Sequence, residues 1–306
     1  MKPPRILVIG SVNMDIVARV DHVPAPGENV RGGDFATIPG GKGANQAVAC
    51  ARLGAETRLL ARVGDDAFGA RLRAGLDSCG VRTDTVAAVP GCPSGVALIL
   101  VDARGQNSIV VTAGANGRLT PADVEAARPL IADADAVILQ LEVPAETVER
   151  AVTLAAEVGT LTVVDAGPPR TPVDRAVFGA GVLTPNEAEA ASLLGLAPGS
   201  TPPEDLAAAL LARGAKAVVL KAGSRGAVVA DARGVECVPA FKIDPVDTTA
   251  AGDAFTAALA IECVRGTGLA AAARVANAAG ALACLRLGAQ PSMPTAAEVA
   301  EFLKGR

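Results

Sequence analysis

The sequence predicts an α/β fold in which a mainly parallel, doubly wound sheet is flanked by helices, and three observations support this prediction. Short apolar runs such as residues 6–9 are typical of strands that are buried on both faces. Such runs alternate along the chain with helical stretches of about ten residues or more, as parallel sheets require. Half of the 306 residues are hydrophobic, which is enough for a sizeable core. We therefore predict a single domain over residues 1–306.

The individual elements follow from these patterns in chain order. Strands are predicted at residues 6–9, 59–63, 95–101, 108–111, 136–141, 161–164, 182–183 and 217–220. Helices are predicted at 46–53, 67–78, 121–131, 145–158, 188–194, 203–213, 254–265, 269–287 and 296–303. The long helix at 269–287 consists almost entirely of small and apolar residues, so it is predicted to lie buried against the sheet.

Two segments stand outside this alternation. The strands at 95–101 and 108–111 flank a hairpin-like connection, and the segment 20–35, rich in proline, glycine and charge, suits a strand pair away from the main sheet. We assign both to a small β-sheet lid, formed by about residues 16–38 and 92–112, that covers a site.

The composition excludes several classes of partner. With six Phe and neither Trp nor Tyr, the chain lacks aromatic platforms for nucleic-acid bases, and its formal net charge of −4 does not attract a polyanion. No apolar run reaches membrane-spanning length, and the run at 6–9 is too short for a signal-peptide core. Six scattered cysteines without a C-x-x-C pair are typical of free thiols in a reducing compartment: Cys50, Cys79, Cys92, Cys237, Cys263 and Cys284. The sequence therefore predicts a cytoplasmic protein with neither a nucleic-acid nor a membrane partner.

Polar residues follow several of the predicted strands. Asn13 and Asp15 come after the first strand, two residues apart, so that they point the same way on an extended chain. Glu142, Asp165 and Asn186 follow three later strands. Each of them alone is accounted for as a polar loop residue. Together, at the carboxyl ends of strands in one doubly wound sheet, they predict a single cleft along one edge.

A glycine-rich turn at residues 39–45 leads into the predicted helix at 46–53. It is not a P-loop, because Lys42 is followed by Gly43 and the first glycine of that motif is missing. The backbone of such a turn can approach a ligand closely, and Lys42 and Asn45 can donate hydrogen bonds to it. By itself the turn supports no more than the entry to a helix.

The stretch at residues 246–253 predicts an anion site. The small residues Ala250, Ala251 and Gly252 allow a tight turn and leave backbone amides uncovered at the start of a helix, where amides bind anions. Asp253 stands at the mouth of this site, where a carboxylate can take a proton from a nucleophile while the amides hold the charge that develops opposite it. The alternative is that Asp253 only caps the helix, since Asp is among the commonest N-cap residues.

Motifs along the whole chain resemble those of the ribokinases, within the phosphofructokinase-B type sugar kinase family. They are Gly10-Ser11-Val12-Asn13-Met14-Asp15, Gly40-Gly41-Lys42-Gly43-Ala44-Asn45-Gln46-Ala47, Thr184-Pro185-Asn186-Glu187-Ala188-Glu189, Asp247-Thr248-Thr249-Ala250-Ala251-Gly252-Asp253 and Gly288-Ala289-Gln290-Pro291-Ser292. The resemblance implies a ribokinase-like fold and the phosphorylation of D-ribose at O5 by ATP, giving D-ribose 5-phosphate and ADP.

The resemblance also implies site residues. Asp253 is expected to be the base that takes the O5 proton, with the amides of Ala250, Ala251, Gly252 and Asp253 as anion hole. The helix dipole is expected to keep the basicity of the Asp253 carboxylate low. The ribose hydroxyls are expected to be held by Asn13, Asp15, Gly41, Lys42, Asn45, Glu142 and Asp253. ATP is expected to lie along Asn186, Lys221, Gly223, Ser224, Gly226, Gly252 and Asn277, with Mg²⁺ organised through water by Asn186 and Glu189.

For two of these nucleotide-side residues, Lys221 and Asn277, a further contact is expected. Lys221 departs from the threonine that ribokinases often have at this position, and its ammonium is expected to add a charge contact to the nucleotide. On its residue type alone, Asn277 is expected to satisfy a neighbouring backbone group within its apolar helix.

A monovalent cation, K⁺, is implied as well, bound beside the anion loop and outside the substrate pocket. Its ligands are expected to be the side chains of Asp247 and Ser292 and the backbone carbonyls of Thr249, Ala283, Arg286 and Gly288. Oxygen ligands of this kind suit a hard cation. The alternative is that Asp247 and Ser292 hydrogen-bond the loop to the end of the fold without an ion. The resemblance further implies a homodimer that pairs through the β-lids.

Two other functions stay open. One is a kinase of the same family for another furanose sugar or a nucleoside; the apolar lid positions Ala97 and Val111 favour closure over a small sugar instead. The other is a sugar-sensing protein without catalysis, against which the intact Asp253 and its preceding glycine argue.

Overall fold

The computed structural model describes residues 2–170 and 175–305. The strands in these ranges are β1 (Arg5–Ile9), β2 (Asn13–Val20), β3 (Gly32–Gly40), β4 (Glu56–Gly64), β5 (Val86–Val89), β6 (Gly95–Val101), β7 (Asn107–Thr112), β8 (Ala136–Leu139), β9 (Leu161–Val164), β10 (Val182–Leu183), β11 (Val218–Lys221), β12 (Ala227–Asp231) and β13 (Gly234–Val238). The α-helices are α1 (Lys42–Arg52), α2 (Ala67–Ser78), α3 (Pro121–Ala126), α4 (Arg128–Asp133), α5 (Ala145–Val158), α6 (Glu187–Leu194), α7 (Pro203–Ala212), α8 (Ala251–Arg265), α9 (Leu269–Ala283) and α10 (Ala296–Lys304).

The larger sheet confirms the predicted doubly wound arrangement. Its strand order is β13-β12-β11-β10-β9-β8-β1-β4-β5; the pairs from β11 to β5 are parallel, whereas β12 and β13 are joined antiparallel at one edge. Because β1 pairs with both β4 and β8, the chain first winds to one side of β1 and later to the other. The loops that follow β1 and β8 therefore flank the switch point, where ligands bind in sheets of this type.

Both faces of this sheet are covered by helices. Ile6 and Val8 of β1 belong to one core cluster, with residues of α1, α8 and α9, whereas Leu7 and Ile9 belong to a second cluster with residues of α5, α6 and α7. The alternation explains why β1 is a continuous apolar run, since each successive side chain enters a different core.

A separate sheet in the order β3-β2-β6-β7 contains the predicted lid segments. Asp15 of β2 lies opposite Ala97 of β6, which lies opposite Val111 of β7. Residues directly opposite in a sheet share a face, so these three side chains face the same way. The predicted strand pair at 20–35 was wrong in its bounds: the paired strands are β2 and β3, and an irregular connection at residues 21–31 joins them.

Some other predicted bounds also differ. The single helix predicted at 121–131 is two helices, α3 and α4, because Pro129 has no N–H with which to continue the first one. The helix predicted at 269–287 ends at Ala283, and α1 begins at Lys42 rather than at residue 46. The short strand β5 and the antiparallel hairpin β12–β13 were not predicted. Within the described residues, no helix is long and apolar enough to cross a membrane.

Candidate active site

The glycine-rich turn brings the start of α1 against the loop that follows β1. Gly41 is the N-cap of α1 and has a φ of 89°, in the left-handed region that glycine adopts without strain. A Cβ at Gly41 would lie 2.7 Å from the Asn13 amide nitrogen, and one at Gly43 would lie 2.6 Å from that of Ser11. The glycines are therefore needed for close backbone packing, which places Lys42 and Asn45 beside Asn13.

The amide of Asn13 is oriented by a residue that the sequence did not indicate. Asn116, buried in the turn after β7, donates from Nδ2 to Asn13 Oδ1 at 2.7 Å and accepts the Val12 amide at 2.8 Å. The Asn13 oxygen is thus engaged within the protein. Its NH₂ group remains as the donor that Asn13 can offer to a ligand.

Two carboxylates stand beside Asn13. Glu142 accepts hydrogen bonds from the Ser11 hydroxyl and from the Lys42 amide, the latter at 3.0 Å, both through Oε2. Burial and the nearby Glu142 charge raise the pKa of Asp15 to about 7. A carboxyl that titrates near neutrality in a cleft is typical of a ligand site.

Asp253 is 4% exposed and does not cap its helix. It lies in the first turn of α8, whose N-cap is Ala250, and its oxygens accept from Asn45 Nδ2 at 3.0 Å and Gln46 Nε2 at 2.9 Å. Burial raises the pKa of Asp253 although Lys42 Nζ lies 3.7 Å from Oδ1, so the expectation of a low basicity was wrong. The Oδ1 atom of Asn45 is buried without a hydrogen-bond partner in the described chain. An unsatisfied acceptor next to the carboxylate is suited to a ligand hydroxyl.

The anion loop has an unusual backbone. Ala250, with a φ of 59°, is the single non-glycine residue with positive φ among the described residues. The amides of Ala251 and Asp253 donate to the carbonyls of Thr248 and Ala250, at 3.3 and 3.0 Å. Of the four predicted amides, at residues 250–253, this leaves those of Ala250 and Gly252 without a partner among the described residues. Strained backbone with open amides at a helix start is typical of an anion site.

A cluster of buried charges lies between the residues expected to hold the sugar and those expected to hold the nucleotide. Asp165 is fully buried and accepts from Lys42 Nζ at 3.1 Å, Lys221 Nζ at 2.8 Å and Gln46 Nε2 at 2.9 Å. Burial alone would raise the pKa of Asp165, but the two ammonium groups lower it below its usual value. Burial alone would lower the pKa of Lys42, but Asp165, Asp253, Glu189 and Glu142 together raise it well above its usual value. Both Asp165 and Lys42 are therefore charged at neutral pH.

Six of the seven residues expected along ATP line a cleft of about 610 Å³ on the other side of the anion loop, whereas Asn186 is not part of its lining. The lining includes Lys221, Gly223, Ser224, Gly226, Gly252 and Asn277. Gly226 has a structural reason to be glycine, since a Cβ there would lie 2.1 Å from the Val238 carbonyl oxygen. Asn277 donates to the carbonyls of Val238 and Pro239, at 3.2 and 3.1 Å, which agrees with the expectation from its residue type.

Asn186 and Glu189 form a capping box at the start of α6. Asn186 Oδ1 accepts from the Glu189 amide at 2.8 Å, and Glu189 Oε2 accepts from the Asn186 amide at 2.7 Å. Burial raises the pKa of Glu189, which lies 4.0 Å from Lys221 Nζ. In the ranges that the structure covers, no three His, Cys, Asp or Glu side chains are grouped so as to hold a metal directly.

Asp247 ties the anion loop to the segment after α9. Its Oδ1 accepts from the Thr249 amide and hydroxyl, at 2.9 and 2.6 Å, and its Oδ2 accepts from the Gly288 amide at 2.9 Å. Ser292 donates to the Ala289 carbonyl at 2.8 Å. The structure therefore brings the residues around 247–249 and 288–292 together. Of the hydrogen bonds in the ion-free alternative, those of Asp247 are present, whereas the bond of Ser292 stays within its own turn.

Three site residues were missed from the sequence: Asn116, Gln46 and Gln140. Gln140 Nε2 donates to Gln46 Oε1 at 2.6 Å, and Gln46 in turn bridges Asp165 and Asp253. Gln140 directly follows β8, so the rule of polar residues at strand ends could have found it. Gln46 stands within the quoted motif of residues 40–47, which could have marked it, whereas nothing in the local sequence distinguishes Asn116 from a surface amide.

Comparisons with known proteins agree with this architecture. The family model described as pfkB family carbohydrate kinase matches residues 3–296. The chain is 41% identical to the ribokinase of Bacillus subtilis over 97% of its own length and 99% of the relative, and 35% identical to the deoxyribokinase of Salmonella typhi over 97% and 98%. The structure of Arabidopsis thaliana ribokinase complexed with ribose and ATP is similar with a TM-score of 0.90 at 33% identity, covering 99% of each chain.

The doubly wound sheet with its added small sheet thus defines the class of ribokinase-like α/β kinases. Within this class, the chain belongs to the pfkB family of carbohydrate kinases.

Proposed function

We propose that this protein is a ribokinase, which transfers the γ-phosphoryl group of ATP to O5 of D-ribose and releases D-ribose 5-phosphate and ADP. The relatives named ribokinase, at up to 41% identity over nearly the full length, support this function. The observation that carries it is the position of the Asp253 carboxylate. It is buried beside the open amides of the anion loop, with the sugar-side residues next to it and the nucleotide cleft beyond Gly252.

The proposed reaction is one in-line displacement. The O5 oxygen forms a bond to the γ-phosphorus, the bond from that phosphorus to the β–γ bridging oxygen breaks, and its electron pair stays on ADP. Asp253 takes the O5 proton, for which its raised pKa makes it a better base than an exposed aspartate. The amides of Ala250 and Gly252 donate to the phosphoryl oxygens, where negative charge is concentrated during transfer.

Sugar binding uses the polar atoms that the protein leaves open. Asn13 offers its NH₂ group, because its oxygen is engaged by Asn116, and Asn45 offers the unpaired Oδ1. Asp15 and the second oxygen of Glu142 accept sugar hydroxyls, and Gly41 and Lys42 complete the set through backbone and ammonium groups. Ribose presents vicinal hydroxyls that both donate and accept, which matches this mixture.

The residues also fit the two proposed ions. Glu189 keeps Oε1 free of the capping box, and together with Asn186 it would hold Mg²⁺ through water, as suits an ion that gives up its hydration reluctantly. Mg²⁺, when bound with the nucleotide, neutralises charge on the phosphates. A carboxylate has about four lone-pair sites and Asp247 uses three, so it retains one for K⁺ beside the carbonyls of Thr249, Ala283, Arg286 and Gly288 and the Ser292 hydroxyl.

A sugar panel tests the function. Ribose, 2-deoxyribose, fructose and adenosine are each assayed with ATP and Mg²⁺ for ADP release, and the product is assigned by phosphorus NMR. We expect ribose to be preferred over 2-deoxyribose by roughly 5- to 150-fold in kcat/KM, because the missing hydroxyl leaves buried polar groups at Asn13 and Asp15 unpaired. Asp15→Ala should remove most of this preference, whereas Asp34→Ala, the same change at an exposed position of the small sheet, should keep it.

The main alternative is a deoxyribokinase, because two of the relatives, each at 35% identity, carry that name. Equal or higher kcat/KM with 2-deoxyribose would favour it over a ribokinase. No sugar-dependent ADP release with any member of the panel would instead favour a sugar-sensing protein and contradict the proposal.

We also propose that the small sheet is a lid and that two copies pair through it. Val17, Ile99 and Ile109 lie opposite one another, on the sheet face that carries Asp15, and Ile109 is 55% exposed. A second copy covering this face would bury these side chains and close the sugar pocket. Sedimentation velocity should therefore show a dimer that Ile109→Asp weakens. Val110→Asp, one residue along and on the opposite face, should leave the dimer intact; equal effects would refute the assigned face.

The proposal places the protein in the cytoplasm. All six cysteines lie in the described ranges and none forms a disulfide, which agrees with a reducing compartment.

A further inference from the structure

One buried carboxylate, Asp165, holds two ammonium groups that belong to opposite sides of the site. Lys42, from the sugar-side turn, and Lys221, from the nucleotide cleft, bind its two different oxygens, at 3.1 and 2.8 Å. A fully buried charge needs this degree of pairing to be tolerated. Asp165 therefore fixes both cations relative to each other and, through Gln46, relative to Asp253.

The Lys221 ammonium lies at the anion loop. Lys221 ends β11, and its backbone is held by a hydrogen bond from its amide to the Pro185 carbonyl at 2.8 Å. Its Nζ atom lies 3.7 Å from where a Cβ on Gly252 would stand. The cation is therefore next to one of the two open amides of the loop, at the end of the nucleotide cleft that meets Asp253. An ammonium has three N–H donors, and the bond to Asp165 uses one of them.

We propose that Lys221 is a catalytic residue that contacts the phosphoryl group during its transfer, and that Asp165 is the positioning residue that holds it there. The inference rests on the kinase function proposed above. Lys221 donates hydrogen bonds to the phosphoryl oxygens, while Asp253 alone accepts the O5 proton. The charge of Lys221 adds to the two open amides, so the loop presents a cation as well as dipoles to the transferring group.

The alternative is that Lys221 is only the counter-ion of Asp165, or only a ground-state contact to ATP. The three roles differ in what they change. A counter-ion affects folding and every binding step, whereas a ground-state contact raises KM for ATP without lowering kcat. A cation that acts on the transferring group lowers kcat and leaves the affinities for ribose and ADP nearly unchanged, because neither contains that group.

The test compares Lys221→Met with Lys216→Met. Lys216 is exposed and precedes the same strand at its other end, so it controls for loss of a lysine there. We expect Lys221→Met to lower kcat roughly 10²- to 10³-fold, the usual effect of removing one group that stabilises the transition state. Ribose and ADP affinities, measured by calorimetry, should change by less than about threefold. Lys221→Arg should recover part of kcat, because it keeps the charge.

A second comparison tests the positioning role. Asp165→Asn alone should lower kcat at least about tenfold, but in the Lys221→Met background it should lower kcat little further, because its effect on the transferring group acts through Lys221. The loss of its bond to Lys42, on the sugar side, should appear in the affinity for ribose instead. Affinity for ADP with aluminium fluoride and ribose, which mimics the transferring group, should fall in parallel with kcat in each variant. The double variant, with Lys221→Met and Asp165→Asn together, leaves neither charge of this pair buried without the other. It can therefore be compared with Asp165→Asn even if Lys221→Met alone fails to fold.

The outcomes separate this inference from the proposed function. Wild-type protein without ribose-dependent ADP release would refute the kinase function itself. An active wild type, with Lys221→Met showing unchanged kcat, would refute the catalytic role of Lys221 and leave the function standing. Independent, multiplicative losses for Asp165→Asn and Lys221→Met would refute the positioning role of Asp165.

Discussion

Asp15 should couple sugar binding to proton release at neutral pH. Burial and the Glu142 charge raise its pKa to about 7 in the free protein, so about half of the molecules carry a proton on Asp15 at pH 7. Ribose hydroxyls donate to this carboxylate in the proposed complex. Charge-assisted hydrogen bonds favour the ionised form and lower the pKa, so binding expels the proton.

The size of the effect follows from that pKa. Binding should release about half a proton at pH 7, about 0.9 at pH 6 and about 0.1 at pH 8, if the bound carboxylate is fully ionised. The kcat/KM for ribose should accordingly rise with pH below about 7 and level off above it.

Isothermal titration calorimetry measures the release directly. Ribose is titrated at pH 7 in two buffers of different ionisation enthalpy, and the difference in apparent binding enthalpy gives the number of protons. Asp15→Asn cannot titrate and should show no difference between the buffers. Identical enthalpies for the wild type, or uptake of protons, would refute the reasoning.

The same pKa predicts how the free energy of unfolding depends on pH. Because the folded-state pKa is raised, the folded state binds more protons than the unfolded state between pH 3.8 and about 7, so stability falls as pH rises through this window. The shift of about three units corresponds to at most about 4 kcal/mol above pH 7. Asp15→Asn should therefore have a larger free energy of unfolding than the wild type at pH 8, measured by urea titration. The same difference between variant and wild type at pH 5 as at pH 8 would contradict this prediction.

Three further predictions concern the anion loop. Asp253→Asn should lower kcat by about 10² to 10⁴ while ribose binding survives. The Asn45 amide, which now donates through Nδ2, can flip so that its Oδ1 accepts from the new side chain. Substantial kcat would exclude the base role. Gly252→Ala should fold normally, because the φ of Gly252 is not positive and an added Cβ would lie 3.7 Å from the side-chain nitrogen of Lys221. Its kcat should nevertheless fall by at least about tenfold, because the added methyl group covers an open backbone amide. Gly75→Ala in α2, with nothing within 4 Å, is the matched control and should keep full activity. Finally, K⁺ should raise kcat above Na⁺, Cs⁺ or a large organic cation at constant ionic strength, and Asp247→Ala should abolish the difference; identical kcat with all four would remove the cation site.

Most of the fold was predictable because its signals are local. The run at β1 is apolar throughout since its side chains enter two cores, and that pattern is visible without any tertiary information. The two antiparallel strands β12 and β13 were missed although each is a short run rich in valine on either side of a tight turn. The alternation of strands with helices predicts parallel strands only. A hairpin at the edge of the sheet has no helix between its two strands, so this pattern does not predict it.

The site was predictable only where it follows from position in the fold. Glu142 and Asn186 stand at strand ends, and a doubly wound sheet brings such ends together whatever the partners are. The missed contacts join residues far apart in sequence: Asn13 and Asn116 are separated by 103 positions, and Gln46 and Asp253 by 207. No local pattern encodes such a pair, because each amide alone is indistinguishable from a solvated one.

These hidden amides decide which atoms face the substrate. Asn116 engages the oxygen of Asn13, so Asn13 can act toward the sugar only as a donor. Gln46 donates to one oxygen of Asp253 and to one of Asp165, while its own oxygen is taken by Gln140. Each bridge removes one alternative arrangement of donors and acceptors and leaves the site with a fixed pattern before the sugar arrives. Discrimination between closely related sugars should therefore depend on these buried partners as strongly as on the residues that touch the sugar, because a site with a fixed pattern cannot adapt to a missing hydroxyl.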